Sequence, residues 1–126
     1  ICGQHFSHNM QHFDWVQQIC ESKALVTAEF PFNETTIVWK VAGKMFCLGD
    51  IESFQSIALK CDPEKALELR AEHPQITGAF HMSKVHWNDI TFEGLSKPFV
   101  ESLINHSYEI VVQKLPKKTR EIILHQ

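Results

Sequence analysis

The chain has 126 residues, a net charge of −3 and a pI near 6.2, with 44% hydrophobic and 21% charged residues. That suits one globular domain able to bury roughly two-thirds of its unfolded surface, and no apolar run approaches the roughly 20 residues of a membrane-spanning helix. The mildly acidic balance argues against a protein living mainly on nonspecific phosphate contacts, although it leaves room for a local basic patch.

Residues 1–9 show no periodicity and are expected to be a poorly ordered leader, with the single domain occupying residues 10–126. Cys2, His5 and His8 fall at spacings of three, yet three ligands on a flexible terminus do not make a preorganised metal site. No basic segment followed by an apolar one opens the chain, so a cytoplasmic location is expected. The four cysteines, Cys2, Cys20, Cys47 and Cys61, contain no CxxC pair and read as small buried hydrophobes rather than a disulfide framework.

From Gln11 a first helix is predicted, with Phe13, Val16, Ile19 and Cys20 on one face and Asp14 in its N-terminal turn. Residues 24–32 follow as a connection in which Pro31 forbids a central strand position. Residues 35–41 alternate, placing Ile37, Trp39 and Val41 on one side and Thr36, Val38 and Lys40 on the other. Ala42-Gly43 reads as a tight turn into residues 44–48, and residues 56–61 form a third strand with Ile57, Leu59 and Cys61 on one face.

Asp62-Pro63-Glu64 starts a second helix, predicted to bury Ala66, Leu67 and Ala71 and to end at Pro74. Residues 76–80 are extended, and residues 88–92 form a strand with Ile90 and Phe92 inward. Ser96 caps a long helix carrying Phe99, Leu103, Ile110, Val111 and Leu115, and beyond Pro116 a short last helix covers residues 117–124. The order α-β-β-β-α-β-β-α-α predicts an α+β, two-layer domain: an antiparallel sheet with helices on one face.

Between the two late strands stands His81-Met82-Ser83-Lys84-Val85-His86-Trp87, dense in groups that need a hydrogen-bond partner or water. His81 and His86 are five apart and have no HExxH or CxxC context, so neither zinc nor any other metal is expected. A nucleophilic pair of histidine with Cys47 or Cys61 has no local signature, whereas general acid/base work by His81 or His86 asks only for a suitable pKa. The plain alternative makes the histidines hydrogen-bond the backbone and packs Trp87 over the sheet edge; the expectation is a mixed role, with His81 structural and Lys84 exposed. Ser107 and Tyr108 on the long helix offer hydroxyls that, with Lys60 and His81, define a possible pocket. Lys114, Lys117, Lys118 and Arg120 form a basic run, either phosphate-binding or a solvated helix face, which Lys60, Lys84 and Lys97 would enlarge. No GxGxxG, P-loop, GxSxG or EF-hand pattern occurs, and no cofactor is expected.

Phe30-Pro31-Phe32, Val38-Trp39-Lys40-Val41, Gly43-Lys44-Met45-Phe46 and Leu59-Lys60-Cys61-Asp62-Pro63 form an ordered set. It continues with the heptapeptide, Ser107-Tyr108 and Leu115-Pro116-Lys117-Lys118. Together these resemble the MmcQ/YjbR family of small bacterial proteins, over residues 10–122. One departure is Ser83, where the family pattern has Asn. The resemblance implies a compact domain similar to frataxin-like and secretion-chaperone-like folds, commonly labelled DNA-binding, with no assigned enzymatic activity.

The expectation is therefore a noncatalytic binding module for DNA. Lys84 and His86 would meet phosphate or base edges, Trp87 would stack or wedge, and Lys117, Lys118 and Arg120 would add nonspecific attraction. A protein- or peptide-binding adaptor is the first alternative, and an enzyme using His81, His86 and Tyr108 the second. Oligomeric state is open.

Overall fold

The computed structural model describes the backbone of residues 2–125 and the side chains from His12 onward. Within the expected leader, residues 1–9, the side chains of Cys2, His5 and His8 lie outside the described residues. The first helix, α1, is Cys2–Glu21. It therefore starts earlier than Gln11, and Asp14 lies in its exposed interior rather than its first turn. As expected, Val16 and Cys20 are fully buried, with Phe13 and Ile19 packed beside them.

Six strands form one antiparallel sheet: β1 (Val26–Glu29), β2 (Thr36–Val41), β3 (Lys44–Asp50), β4 (Ser56–Lys60), β5 (Ile76–Gly78) and β6 (Trp87–Thr91). Their spatial order is β1-β2-β3-β4-β6-β5. β1 falls in the stretch expected as a connection: the alternation of Val26, Ala28 and Phe30 with Thr27 and Glu29 is short and runs into Pro31. Its ladder comes from β2, in register from Val26 opposite Val41 to Glu29 opposite Val38, and it ends before Pro31, as an edge strand must. Lys40 Nζ meets Glu29 Oε1 at 3.2 Å across this pair.

The β2–β3 turn places Ala42 at φ 48° and Gly43 at φ 83°. Two consecutive left-handed residues match the twist of a tight hairpin, and the second tolerates little but glycine. A register shift between Trp39 and Lys40 follows at once. It lets Phe46 and Cys47, adjacent on β3, both enter the same core.

That core fills one face of the sheet. Ile37, Trp39, Val41, Ile57 and Leu59 meet α1 and Val100, Leu103, Ile104 and Val111 of α3 (Lys97–Gln113). Ser96 Oγ accepts from the Phe99 amide at 3.3 Å and caps α3 as expected. The second helix, α2 (Pro63–Glu72), is capped by Asp62, whose Oδ2 accepts from the Lys65 amide at 3.3 Å. Its buried residues are Ala66 and Leu69, not the expected set: Leu67 is 63% exposed and Ala71 is also exposed. Positions three apart share a helical face, whereas Leu67 is turned about 100° from Ala66. The last helix, α4, is Lys117–Leu124.

The opposite face is not bare. Ala58, Ala79 and Trp87 form a second buried cluster, flanked by Met45, Leu48 and Met82. The segment between β5 and β6 therefore folds back over the open side of the sheet. Among the described residues no helix is long and apolar enough to cross a membrane.

Candidate functional site

The site begins where two strands part. β3 and β4 pair from Gly49 opposite Ile57 to Cys47 opposite Leu59 and no further. Beyond that point a side chain from α3 takes the place of the ladder. Lys60 N donates to Ser107 Oγ at 2.9 Å, and Ser107 Oγ donates to the Phe46 carbonyl at 2.5 Å. With 0% exposure, Ser107 is structural: it bonds two backbone groups at the strand ends where the β3–β4 ladder stops.

The opening leads into a groove of about 450 Å³. Met45 and Trp87 line it from the open face, and Val111 and Leu115 from the C-terminal end of α3. Three ammoniums surround it: Lys44 on the first residue of β3, Lys60 on the last of β4, and Lys114 at the C-cap of α3. Among the described residues none of the three has an ion-pair partner. Burial, then the charges of Lys114 and Lys44, push Lys60 below the usual lysine range. Like charges held together over an apolar floor favour an anionic ligand, which would relieve their repulsion.

A second groove of about 440 Å³ lies on the same sheet face, between Phe32 and Asn33 on one side and His81 and Met82 on the other, over Thr36 and Leu48.

The heptapeptide is held by α2 rather than by α3. Arg70 Nε donates to Asn88 Oδ1 at 2.7 Å, and its Nη2 bonds the Lys84 carbonyl. Asn88, 1% exposed, also donates to the Ala66 carbonyl at 3.4 Å. The His86 carbonyl accepts from Cys61 N at 2.8 Å. These bonds fix the backbone and leave the side chains of His81, Lys84 and His86 exposed. His81, expected to be structural, instead lines the second groove with its ring edge-on to Phe80 at 4.7 Å.

The expected contact residues are thus dispersed. Trp87 is only 7% exposed, too buried to present a stacking face to a ligand. Lys84 rests 5.9 Å from the Phe80 ring, and Lys97 5.7 Å from that of Trp15. Lys117 and Lys118 are exposed on α4 and Arg120 is half-buried there, and none of them lines the lysine groove. The pocket expected from Lys60, His81, Ser107 and Tyr108 does not form: Lys60 and His81 line different grooves, and Tyr108 OH donates to the Ala24 carbonyl at 2.7 Å. Of the three residues of the enzyme reading, His81 lines the second groove, His86 lines neither groove and the Tyr108 hydroxyl is engaged by the Ala24 carbonyl. Cys20, Cys47 and Cys61 are buried free thiols, and burial raises Cys47 and Cys61 above the usual thiol range, so neither is an activated nucleophile. No cluster of three His, Cys, Asp or Glu side chains able to hold a metal occurs among the described residues.

The sequence left unmarked how Lys44 and Lys114 meet Lys60. Lys44 and Lys60 sit at the ends of strands that are neighbours, but only the bulge and the inserted Ser107 hydroxyl bring their side chains around one opening.

Fold and site define a small α+β domain with a basic groove, unpaired among the described residues, where β3 and β4 part beside the C-terminal end of α3. The YjbR family model matches residues 21–110. Similar proteins include the uncharacterized protein YbdF of Escherichia coli O157:H7, 34% identical over 73% of this chain and 77% of that protein. The uncharacterized protein YjbR of Escherichia coli K12 is 29% identical over 68% and 74% respectively. Among solved structures, Deinococcus radiodurans protein DR2400, a DUF419 domain, superposes with a TM-score of 0.81 at 33% identity, covering 88% of this chain and 86% of that one. A Pseudomonas syringae protein gives a TM-score of 0.58 at 26% identity, over 68% and 86%. The chain belongs to the YjbR family. The Leu115-to-Lys118 segment that contributed to the resemblance lies outside the matched residues.

Proposed function

We propose that this protein is a noncatalytic DNA-binding module of the cytoplasm, and that it holds phosphate through the groove of Lys44, Lys60 and Lys114. The observation that carries this reading is the convergence of three ammoniums with no carboxylate partner among the described residues, in a protein whose net charge is −3. Positive charge concentrated against the global balance marks a place for a phosphate backbone. Lys84 and His86, exposed on the neighbouring loop, extend the contact along the strand.

The test is a salt titration of binding to duplex and single-stranded DNA. Affinity falls steeply as salt rises, and replacing all three lysines by glutamine makes the slope shallower by roughly two to three phosphate contacts. No binding at low salt, or binding indifferent to salt and to the three lysines, sinks the proposal.

A second reading, a peptide-binding adaptor, draws on the exposed Phe30, Phe32, Phe80 and Val85. Capture of a protein partner from nuclease-treated lysate, undiminished in the triple-lysine variant, would favour it.

A further inference from the structure

We propose that the open sheet face takes an unpaired oligonucleotide rather than a duplex, with phosphates in the lysine groove and a base in the groove between Phe32 and His81. This rests on the nucleic-acid reading above and narrows it to one class of ligand.

The two grooves are parts of one surface. Met45 lines the first and Leu48 the second, three residues apart on β3, which is roughly 10 Å along a strand. Trp87 of the first and Met82 of the second belong to one apolar cluster with Ala58 and Ala79. A ligand crossing that cluster places an anion at one end and a flat apolar group at the other. A short run of nucleotides has both.

The second groove suits a base. Phe32 is 62% exposed and Phe80 76% exposed, unusual for large rings on a small domain. Neither is loosely placed: Asn33 Oδ1 accepts from the amides of Thr35 and Thr36 at 2.9 and 2.7 Å and pins the turn beside Phe32, while Phe80 N donates to Asp89 Oδ2 at 3.2 Å. Asn33, Thr36 and His81 add hydrogen-bonding groups to a cavity otherwise lined by Phe32, Leu48 and Met82. Stacking on an aromatic ring with polar groups at the rim is how unpaired bases are held with little sequence preference.

A duplex fits poorly. Its bases are stacked inside, where Phe32 cannot reach their faces. The helices α1 and α3 pack their apolar faces into the core on the other side of the sheet, and α3 brings only its C-terminal end to the lysine groove, so neither lies across this face to enter a major groove.

The experiment is fluorescence anisotropy at low salt, with a labelled single strand of about a dozen nucleotides and the same strand annealed to its complement. The single strand binds at least about tenfold more tightly. Phe32→Ala weakens it about fivefold to a hundredfold and leaves duplex binding unchanged, and Lys60→Gln weakens both. Because Phe32 is largely exposed, its variant keeps the parent's thermal unfolding. Equal or tighter duplex binding, or single-strand binding indifferent to Phe32→Ala, overturns the proposal while the lysine reading stands if Lys60→Gln still acts. Absence of binding to either form overturns both readings. Polyglutamate displacing the strand at equal charge concentration, with the same dependence on Phe32, overturns the nucleic-acid occupant in favour of an acidic peptide.

Discussion

The amide of Lys60 donates to the Ser107 hydroxyl at 2.9 Å, so the strand that ends in the groove's central ammonium is fastened from the helical side of the sheet. The same hydroxyl reaches the Phe46 carbonyl, and β3 and β4 are held apart by the width of one oxygen. Ser107→Ala leaves a buried donor and a buried acceptor without their partner. The expected loss is about 1–3 kcal/mol of stability, read as a lower midpoint in urea unfolding with little change in slope.

Lys60→Met separates stability from binding. It removes the ammonium crowded by Lys114 and Lys44 and keeps an apolar stem over Trp87. The melting temperature should hold or rise, while affinity for DNA drops and the salt dependence becomes shallower by about one phosphate contact. A gain in stability coupled to a loss of binding marks a site kept for function. The pH dependence has a fixed sign: in the folded protein Lys60 lies below the usual lysine value, so the unfolded chain holds the proton longer as pH rises. The stability difference between parent and variant therefore narrows as pH climbs through the depressed Lys60 value. DNA binding by the parent weakens over the same range, and Lys60→Arg, which stays charged, removes that weakening. Thermal melts and anisotropy at stepped alkaline pH check both.

Arg70 is the clamp for the 79–86 segment. Its guanidinium bonds Asn88 Oδ1 and the Lys84 carbonyl, linking α2 to β6 and to the loop that carries His81 and His86. Arg70→Ala leaves the side chain of Asn88, a residue 1% exposed, with only its bond to the Ala66 carbonyl among the described residues. A cost of about 1.5–3 kcal/mol is expected, typical of hydrogen bonds to a charged group. Amide exchange should accelerate first at Trp87 and Ala79, whose amides are bonded to Ser83 O and Trp87 O, before the β2–β3 hairpin is affected. Uniform acceleration over the whole sheet would show that Arg70 stabilises globally rather than clamping the loop.

The strands legible in the sequence were those whose side chains alternate, such as Ile37, Trp39 and Val41, and the helices those with caps at Asp62 and Ser96. β1 escaped because an edge strand takes its order from its neighbour and need bury little of its own. Leu67 misled because hydrophobicity marks a candidate for burial while helical phase decides it. The heptapeptide was recognisable as unusual, yet its dense polar groups serve two ends: a backbone clamped by Arg70 and side chains turned to water. The groove itself was hidden. Lys44, Lys60 and Lys114 are separated by long stretches of chain, and only the end of the β3–β4 ladder brings them together.

His106 supplies a test that is independent of ligand. Its Nε2 accepts from the Asp62 amide at 3.4 Å, a role open only to the neutral ring. Burial, and then Lys65, hold it below the usual histidine value of 6.5 against the opposing pull of Asp62 and Glu109. On acidification the unfolded chain takes up this proton first. The stability His106 contributes is therefore complete above the ordinary histidine range and is lost as pH falls toward the depressed folded value. Melting temperatures of the parent and of His106→Gln, compared from about pH 8 to about pH 5, should agree at the alkaline end and diverge toward the acid end, where the parent falls below the variant, because the glutamine carbonyl can accept the same bond without titrating. Parallel curves across that range would mean that another histidine governs the acid response.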